Sequence, residues 1–418
     1  MQLLLIALYL ARFAAGCLLR YLNLRHLARH GSTVPEPFAG AIDADSLAKS
    51  ARYTVEQSKV GLAESIYESL LLLAFMFTPL LPRYDAWIGS LSGSFVLGGL
   101  LFVLILTLVQ TLLDIPFSLY STFRLEKRYG FNTTTPKLWI TDFLKSTALS
   151  LLLLAILVSA ALLLVQHSPA LWWLWVWGFF ALFSITMIYL SPYLIEPLFS
   201  KYEPLGDPEL EEEIRALLAK GGLKVKGVMK MDASKRSLHS NAYFTGIGRV
   251  KRIVLYDTLL QQMDRRELLA ILAHEAGHWM KGHIWKRLVL MEGASLALFY
   301  AVHLLIDWGG VPGLFGLAQA SFAAQIIMIS FLFSIVSLPL TPIGAWMSRR
   351  NEWEADRFAT ELSGTPEALA SGLIKLSREN LANLHPHPVY AWFYYSHPPV
   401  VQRVAKLLGS APSALTPD

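Results

Sequence analysis

Long apolar runs separated by polar stretches dominate this chain, and their lengths set the first expectation. Residues 3–22, 66–81, 95–115, 149–165, 171–190, 288–306 and 322–340 are apolar runs with almost no charge. A helix needs about 20 such residues to cross the hydrocarbon core of a bilayer, so the runs predict about seven transmembrane helices. The period changes between the fifth and sixth runs. Residues 207–221 read as an amphipathic helix, opened by Asp207 as cap with Pro208 in the first turn and closed by Gly221-Gly222. Residues 225–231, 241–245 and 249–256 read as strands, the last two forming a hairpin around Gly246-Ile247-Gly248. Residues 30–59 are polar and partly helical, and the tail beyond Glu352 is mostly helical. The fold class is therefore mainly α, a polytopic membrane protein with a small α/β unit. Its divisions are an N-terminal membrane region over 1–190 with five spans, a soluble part over 191–286, two spans over 287–343, and a second soluble part over 344–418.

Composition agrees with this pattern, because 54% of the 418 residues are hydrophobic and only 16% charged, a balance rare among soluble proteins. No basic residue precedes the first apolar run and Arg12 lies inside it, which favours an uncleaved span over a signal peptide. The net charge of +5 includes no basic block suited to nucleic acid. The lysines and arginines read instead as topology signals. Arg20, Arg25, Arg29, Arg124, Lys127, Arg128, Lys137, Lys145, Arg349 and Arg350 fall on one side of the threaded spans, and the opposite loops hold only Arg83. The positive-inside rule then puts both soluble parts in the cytoplasm. Cys17 is the only cysteine, which excludes an intramolecular disulfide or a thiolate-rich metal site. Arg12, Glu68, Asp114, Glu292 and Asp307 lie in or at the edges of spans, where a lipid-facing charge is costly, so they point to a polar interior.

The chemistry centres on the stretch 271–283, read as one helix carrying His274-Glu275-Ala-Gly-His278. On a helix, residues four apart share a face, so both imidazoles can hold one zinc ion while Glu275 projects beside it. Zinc lowers the pKa of bound water to about 7, and an adjacent carboxylate can take its proton and pass it to a leaving amine. A third ligand is needed. Arg349-Arg350-Asn351-Glu352-Trp353-Glu354-Ala355-Asp356 supplies Glu352 as ligand and, one turn on, Asp356 as the carboxylate that orients a ligating histidine, with Ala355 between them allowing close approach of another helix. Glu354 points to another face and is the weaker ligand candidate. His283 fails the extended three-histidine spacing and reads as an interfacial side chain at the helix end. His397 and Arg403 could donate to an oxyanion, or be a capping histidine and a surface arginine. Asn241 to Phe244 could bind a peptide as an added strand, or form a purely structural hairpin.

Several stretches together resemble the CAAX prenyl protease 1 family. They are Tyr120-Ser-Thr-Phe-Arg-Leu-Glu-Lys-Arg-Tyr-Gly-Phe-Asn132, Ile195-Glu-Pro-Leu-Phe-Ser-Lys201, Lys235-Arg-Ser-Leu-His-Ser-Asn-Ala-Tyr243, His274 to Trp279, Ser348 to Asp356 and Ser396 to Arg403, in family order over nearly the whole chain. Members are integral-membrane zinc metallopeptidases that remove the last three residues of prenylated proteins. The resemblance implies seven transmembrane helices around a water-filled chamber, with a gluzincin-like zinc site facing inward near the cytosolic side. It implies one Zn2+ per chain on His274, His278 and Glu352, with Glu275 as general base. Asp356 matches the motif's aspartate, a proton donor in some schemes and, on physical grounds, an orienting group. Asn241, with Ala242 and Tyr243, matches a position that holds substrate backbone, and His397 and Arg403 match positions that stabilise the transition state. The implied partners are a peptide or protein substrate, prenylated in the family, and membrane lipid. Asn132-Thr133-Thr134 fits a glycosylation sequon but falls within the family motif on the cytosolic side, so no glycan is expected. The tail Ala414 to Asp418 carries no dibasic retention signal and reads like that of a bacterial inner-membrane member. Two other readings remain: a quality-control zinc protease of the heat-shock type with fewer spans, and a transporter or scaffold with a structural metal site.

Overall fold

Small polar side chains set where the membrane helices begin. Asp43, Ser94 and Thr135 each accept a hydrogen bond from a backbone N–H three residues on, as N-caps do. In the computed structural model, which describes residues 1–245 and 250–410, these caps open α2 (Ala44–Phe77), α4 (Phe95–Leu113) and α5 (Pro136–His167). With them run α1 (Gln2–His30), the shorter α3 (Leu80–Leu91) and α6 (Trp172–Leu194). Downstream come α7 (Pro208–Lys220), α8 (Arg265–Met280), α9 (His283–Trp308), α10 (Phe322–Val336), α11 (Thr341–Ser363), α12 (Pro366–Glu379), α13 (Pro388–Tyr394) and α14 (Val400–Leu407).

Among the described residues, six helices are long and apolar enough to cross a membrane, or seven if the bent pair Phe322–Val336 and Leu338–Ser363 is one span. That pair is the main departure from an unbroken run over 322–340. Pro339 and Pro342 lack the N–H a continuous helix requires, and the axis turns by 52° there. The second span also starts far earlier than its apolar run, because α2 begins in the polar stretch at Ala44. The membrane helices bury little of themselves: Leu3, Leu70, Leu182 and Val289 stay exposed, as lipid-facing positions do. Where α1 to α4 meet α10, Tyr9, Met76, Leu81, Phe102, Met328 and Phe331 form a packed core. Three of the five charges in or beside the spans, Arg12, Glu68 and Asp114, line cavities, whereas Asp307 is exposed at the end of α9. Arg12 and Glu68 line one of about 410 Å³, while Glu68 and Asp114 line another of about 470 Å³.

The soluble unit joins a four-stranded sheet to α7, α8, α12 and α14. Its strands β1 (Tyr202–Pro204), β2 (Lys224–Met231), β3 (Ala242–Thr245) and β4 (Val250–Tyr256) lie in the order β1-β2-β4-β3. The pair β2/β4 is parallel, and the pairs β1/β2 and β3/β4 are antiparallel. The three expected strands are present, and the turn expected at Gly246-Ile247-Gly248 lies outside the described residues, as does the tail from Ala414. β1 was not expected, since three residues ending in proline leave no alternation to read. α7 starts as its sequence dictates, with Asp207 Oδ1 accepting from Leu210 N at 3.0 Å. Ile214, Leu218, Ile253, Leu255, Leu268, Leu272 and Val404 fill the core between sheet and helices. A second contact ties this unit to the membrane region: Phe131 stacks on His239 at 4.1 Å, and Glu126 accepts from Tyr53 Oη at 2.7 Å and lies 3.4 Å from His239 Nε2. The chain leading into β3 is thereby held against the segment that follows α4.

Candidate active site

Helix α8 is fixed at its start before it presents any chemistry. Asp264 and Glu267 form a reciprocal capping box, and the buried Glu267 also accepts from Ser371 Oγ at 2.6 Å and Lys375 Nζ at 2.7 Å. Partway along, Gly277 lets α11 come close: a Cβ at that position would lie 3.0 Å from Ala355 Cα and 3.2 Å from its carbonyl oxygen. Ala355 thus serves the close approach its position implied. Because the obstacle is backbone, Gly277→Val should push the two helices apart at a cost of about 1–3 kcal/mol, with weaker metal binding. Thermal unfolding and a metal titration of that variant check this; unchanged values in both would show that the contact is not needed.

On this contact the predicted residues converge. His274 Nε2 lies 3.2 Å from His278 Nε2, and the Glu352 carboxylate lies 3.4 Å from the first and 3.3 Å from the second. One donor atom from each residue falls within 4.8 Å of the others, a group that could hold a metal ion. Glu352 Oε2 is buried and accepts no hydrogen bond, as suits an oxygen reserved for a cation. Asp356 Oδ1 sits 2.8 Å from His274 Nδ1 and accepts from Arg403 Nη2 at 2.6 Å, while its Oδ2 accepts from Arg403 Nε at 2.9 Å. Arg403 Nη1 is 3.3 Å from Glu352 Oε2, and His397 Nε2 is 3.3 Å from Glu352 Oε1. Arg403 is buried, so it is not the surface arginine that was its alternative reading.

The stretch 271–283 is not one helix. α8 stops at Met280, Gly282 takes a left-handed conformation at φ +69°, and His283 opens α9. His283 is accordingly buried rather than interfacial. Its Nδ1 lies 3.1 Å from His278 Nδ1 and its Nε2 3.1 Å from Glu354 Oε2. The weaker ligand candidate Glu354 thus meets His283, not the His274–His278 pair. The signal that could have exposed this break was Lys281-Gly282, a helix stop inside the run.

Burial would lower the His274 imidazole, but hydrogen bonds to Asp356 and Glu352 outweigh it and raise the group to about 9. Burial raises the Glu275 carboxyl above its ordinary value, tempered by His274 and His278. At the edge of the sheet, Asn241 is exposed and Ala242 is buried, and the Ala242 N–H donates to Asn241 Oδ1 at 2.8 Å. Tyr243 Oη donates to Glu196 Oε2 at 2.6 Å, a tie between the end of α6 and β3 that no sequence pattern announced. Next to β3 lies an apolar cavity of about 340 Å³, lined by Tyr189, Tyr243, Phe244, Trp279, Ile284 and Trp285 among others.

Comparison with known proteins fits these observations. A family described as "CAAX prenyl protease N-terminal, five membrane helices" matches residues 23–201, and "Peptidase family M48" matches residues 204–411. The chain is 33% identical to the CAAX prenyl protease 1 homolog of Arabidopsis thaliana over 407 residues, covering 93% of this chain and 94% of that protein. It belongs to the CAAX prenyl protease 1 family. The Saccharomyces cerevisiae CAAX prenyl protease 1 is 32% identical, with 93% of this chain and 91% of the relative covered. The crystal structure of S. mikatae Ste24p superposes with a TM-score of 0.88 at 30% identity, covering 97% of this chain and 98% of that one. As a member of the CAAX prenyl protease 1 family, the chain is a metalloendopeptidase and a multi-pass integral membrane protein. The family resemblance read from the motifs is thus borne out, as is the mainly helical membrane fold with its small sheet.

Proposed function

We propose that this chain is a zinc-dependent endopeptidase that cuts near the C-terminus of prenylated CAAX-type or similar peptides, within the membrane-embedded part of the protein. The observation that carries the reading is the convergence of His274, His278 and Glu352 across two helices, with Glu275 beside them. These three residues would hold one zinc ion, which when bound supplies a Lewis acid that acidifies water and polarises a carbonyl. Glu275 takes the proton of the attacking water and hands it to the leaving amine. Asp356 accepts from His274 Nδ1–H and so keeps the Nε2 lone pair free for the ion. His397 offers an N–H donor to the oxygen that gains charge as the carbonyl is attacked, and Arg403, whose nitrogens face Asp356 and Glu352, adds positive charge beside it.

The substrate is an extended peptide added to the free edge of β3, held by the backbone from Asn241 to Tyr243. The apolar cavity beside that edge suits an aliphatic side chain or a prenyl group. The site faces the cytoplasm, the side to which the distribution of basic residues points. The test is a metal analysis of the purified protein together with cleavage of a prenylated peptide and its unmodified counterpart. One zinc per chain and chelator-sensitive hydrolysis are expected. Bound zinc with no hydrolysis of either peptide would return the protein to the scaffold class, and a preference for the unmodified peptide would reject the prenyl substrate.

A further inference from the structure

Two imidazoles hold the metal in the reading above, and they are not oriented in the same way. His274 Nδ1 meets the Asp356 carboxylate directly. Among the described residues, His278 Nδ1 pairs with no carboxylate and faces instead another imidazole nitrogen, His283 Nδ1, at 3.1 Å. His283 reaches this place because the chain reverses at Gly282, whose φ of +69° a side chain would strain. Its other nitrogen, Nε2, lies 3.1 Å from Glu354 Oε2, and the residue is 4% exposed.

With Glu354 ionised and His283 neutral, the hydrogen-bond inventory of these groups assigns every proton in the row. An ionised carboxylate only accepts, so His283 Nε2 must carry the N–H. A neutral imidazole with its proton on Nε2 has a lone pair on Nδ1, and at 3.1 Å His278 Nδ1 must be the donor to it. His278 then has its lone pair on Nε2, the atom that lies 3.2 Å from His274 Nε2 and 3.3 Å from Glu352 Oε1. We propose that Glu354 and His283 are a positioning pair that sets the tautomer and ring plane of His278. This rests on His278 being a metal ligand.

One helix therefore builds the centre three times over. At Glu352 α11 offers a donor atom, at Asp356 it orients one imidazole directly, and at Glu354 it orients the other through His283. An outer partner of this kind is worth about 10–100-fold in metal affinity.

The experiment measures zinc affinity of the full-length protein against a chromophoric chelator, with cobalt absorption as a report on ligand geometry. His283→Phe should weaken zinc binding about 10–100-fold and alter the cobalt spectrum. His283→Gln, which keeps a donor and an acceptor, should recover part of the loss. Glu354→Ala should shift affinity in the same direction, and Glu354→Gln, which retains an acceptor oxygen, should shift it less. Glu354 is part-exposed, so its variants carry the test if His283→Phe does not fold. Wild-type affinity in both His283→Phe and Glu354→Ala, or in Glu354→Ala alone where His283→Phe does not fold, would overturn the proposal. A wild-type protein that binds no zinc would instead overturn the zinc reading of the site, while normal zinc binding in every variant with intact catalysis would remove the positioning pair alone.

Discussion

Glu275→Gln should bind one zinc per chain and lose hydrolysis by about 10²–10⁴-fold, the usual worth of a general base. Glu275 follows His274 on α8, about 100° round the helix from it, and would stand beside a bound ion. Glutamine keeps its size and removes only its ability to accept a proton. The base works when ionised, so activity is present above its pKa and lost as pH falls through it. Burial raises that carboxyl in the metal-free protein, and the charge of a bound cation opposes the rise. Metal analysis and peptide cleavage on the same preparation check the prediction, and full turnover by Glu275→Gln would reject the mechanism.

Arg403→Leu should destabilise the protein by about 3–5 kcal/mol, because it strips the countercharge from buried carboxylates. Two of its nitrogens donate to Asp356 at 2.9 and 2.6 Å, and the third is 3.3 Å from Glu352. Without the guanidinium, Asp356 and Glu352 lie buried beside the imidazoles of His274, His278 and His397. Arg403→Lys should recover little, since an ammonium cannot reproduce the two-point contact with Asp356. Zinc should narrow the deficit by replacing part of the lost positive charge. Thermal unfolding with and without zinc measures both effects, and an Arg403→Leu protein as stable as the parent would show that the charge cluster is balanced by other groups.

The spans were legible because hydrophobic length is a one-dimensional property, and a run such as 95–115 needs no partner to be recognised. The bend at Ser337 to Leu340 was less so: an apolar tract reads as continuous until its prolines are weighed against the helix they interrupt. His274, His278 and Glu352 could be named because helical spacing restricts which side chains share a face. The place of His283 was missed for the opposite reason. Its role follows from a backbone reversal at Gly282, which returns a residue beyond the helix to the underside of that helix, and helical periodicity cannot express that. β1 and the Glu196 to Tyr243 contact likewise arise only when remote segments meet.

The order of the ligands along the chain sets a condition on biosynthesis. Synthesis delivers His274 and His278 first, then α9 and α10, and only afterwards Glu352. A nascent polypeptide emerging from the ribosome therefore owns two donors and no closed centre until both hydrophobic hairpin arms have been inserted. On the proposed ligand set, proteolytic competence therefore arrives only with the last quarter of the chain, after α10 is made.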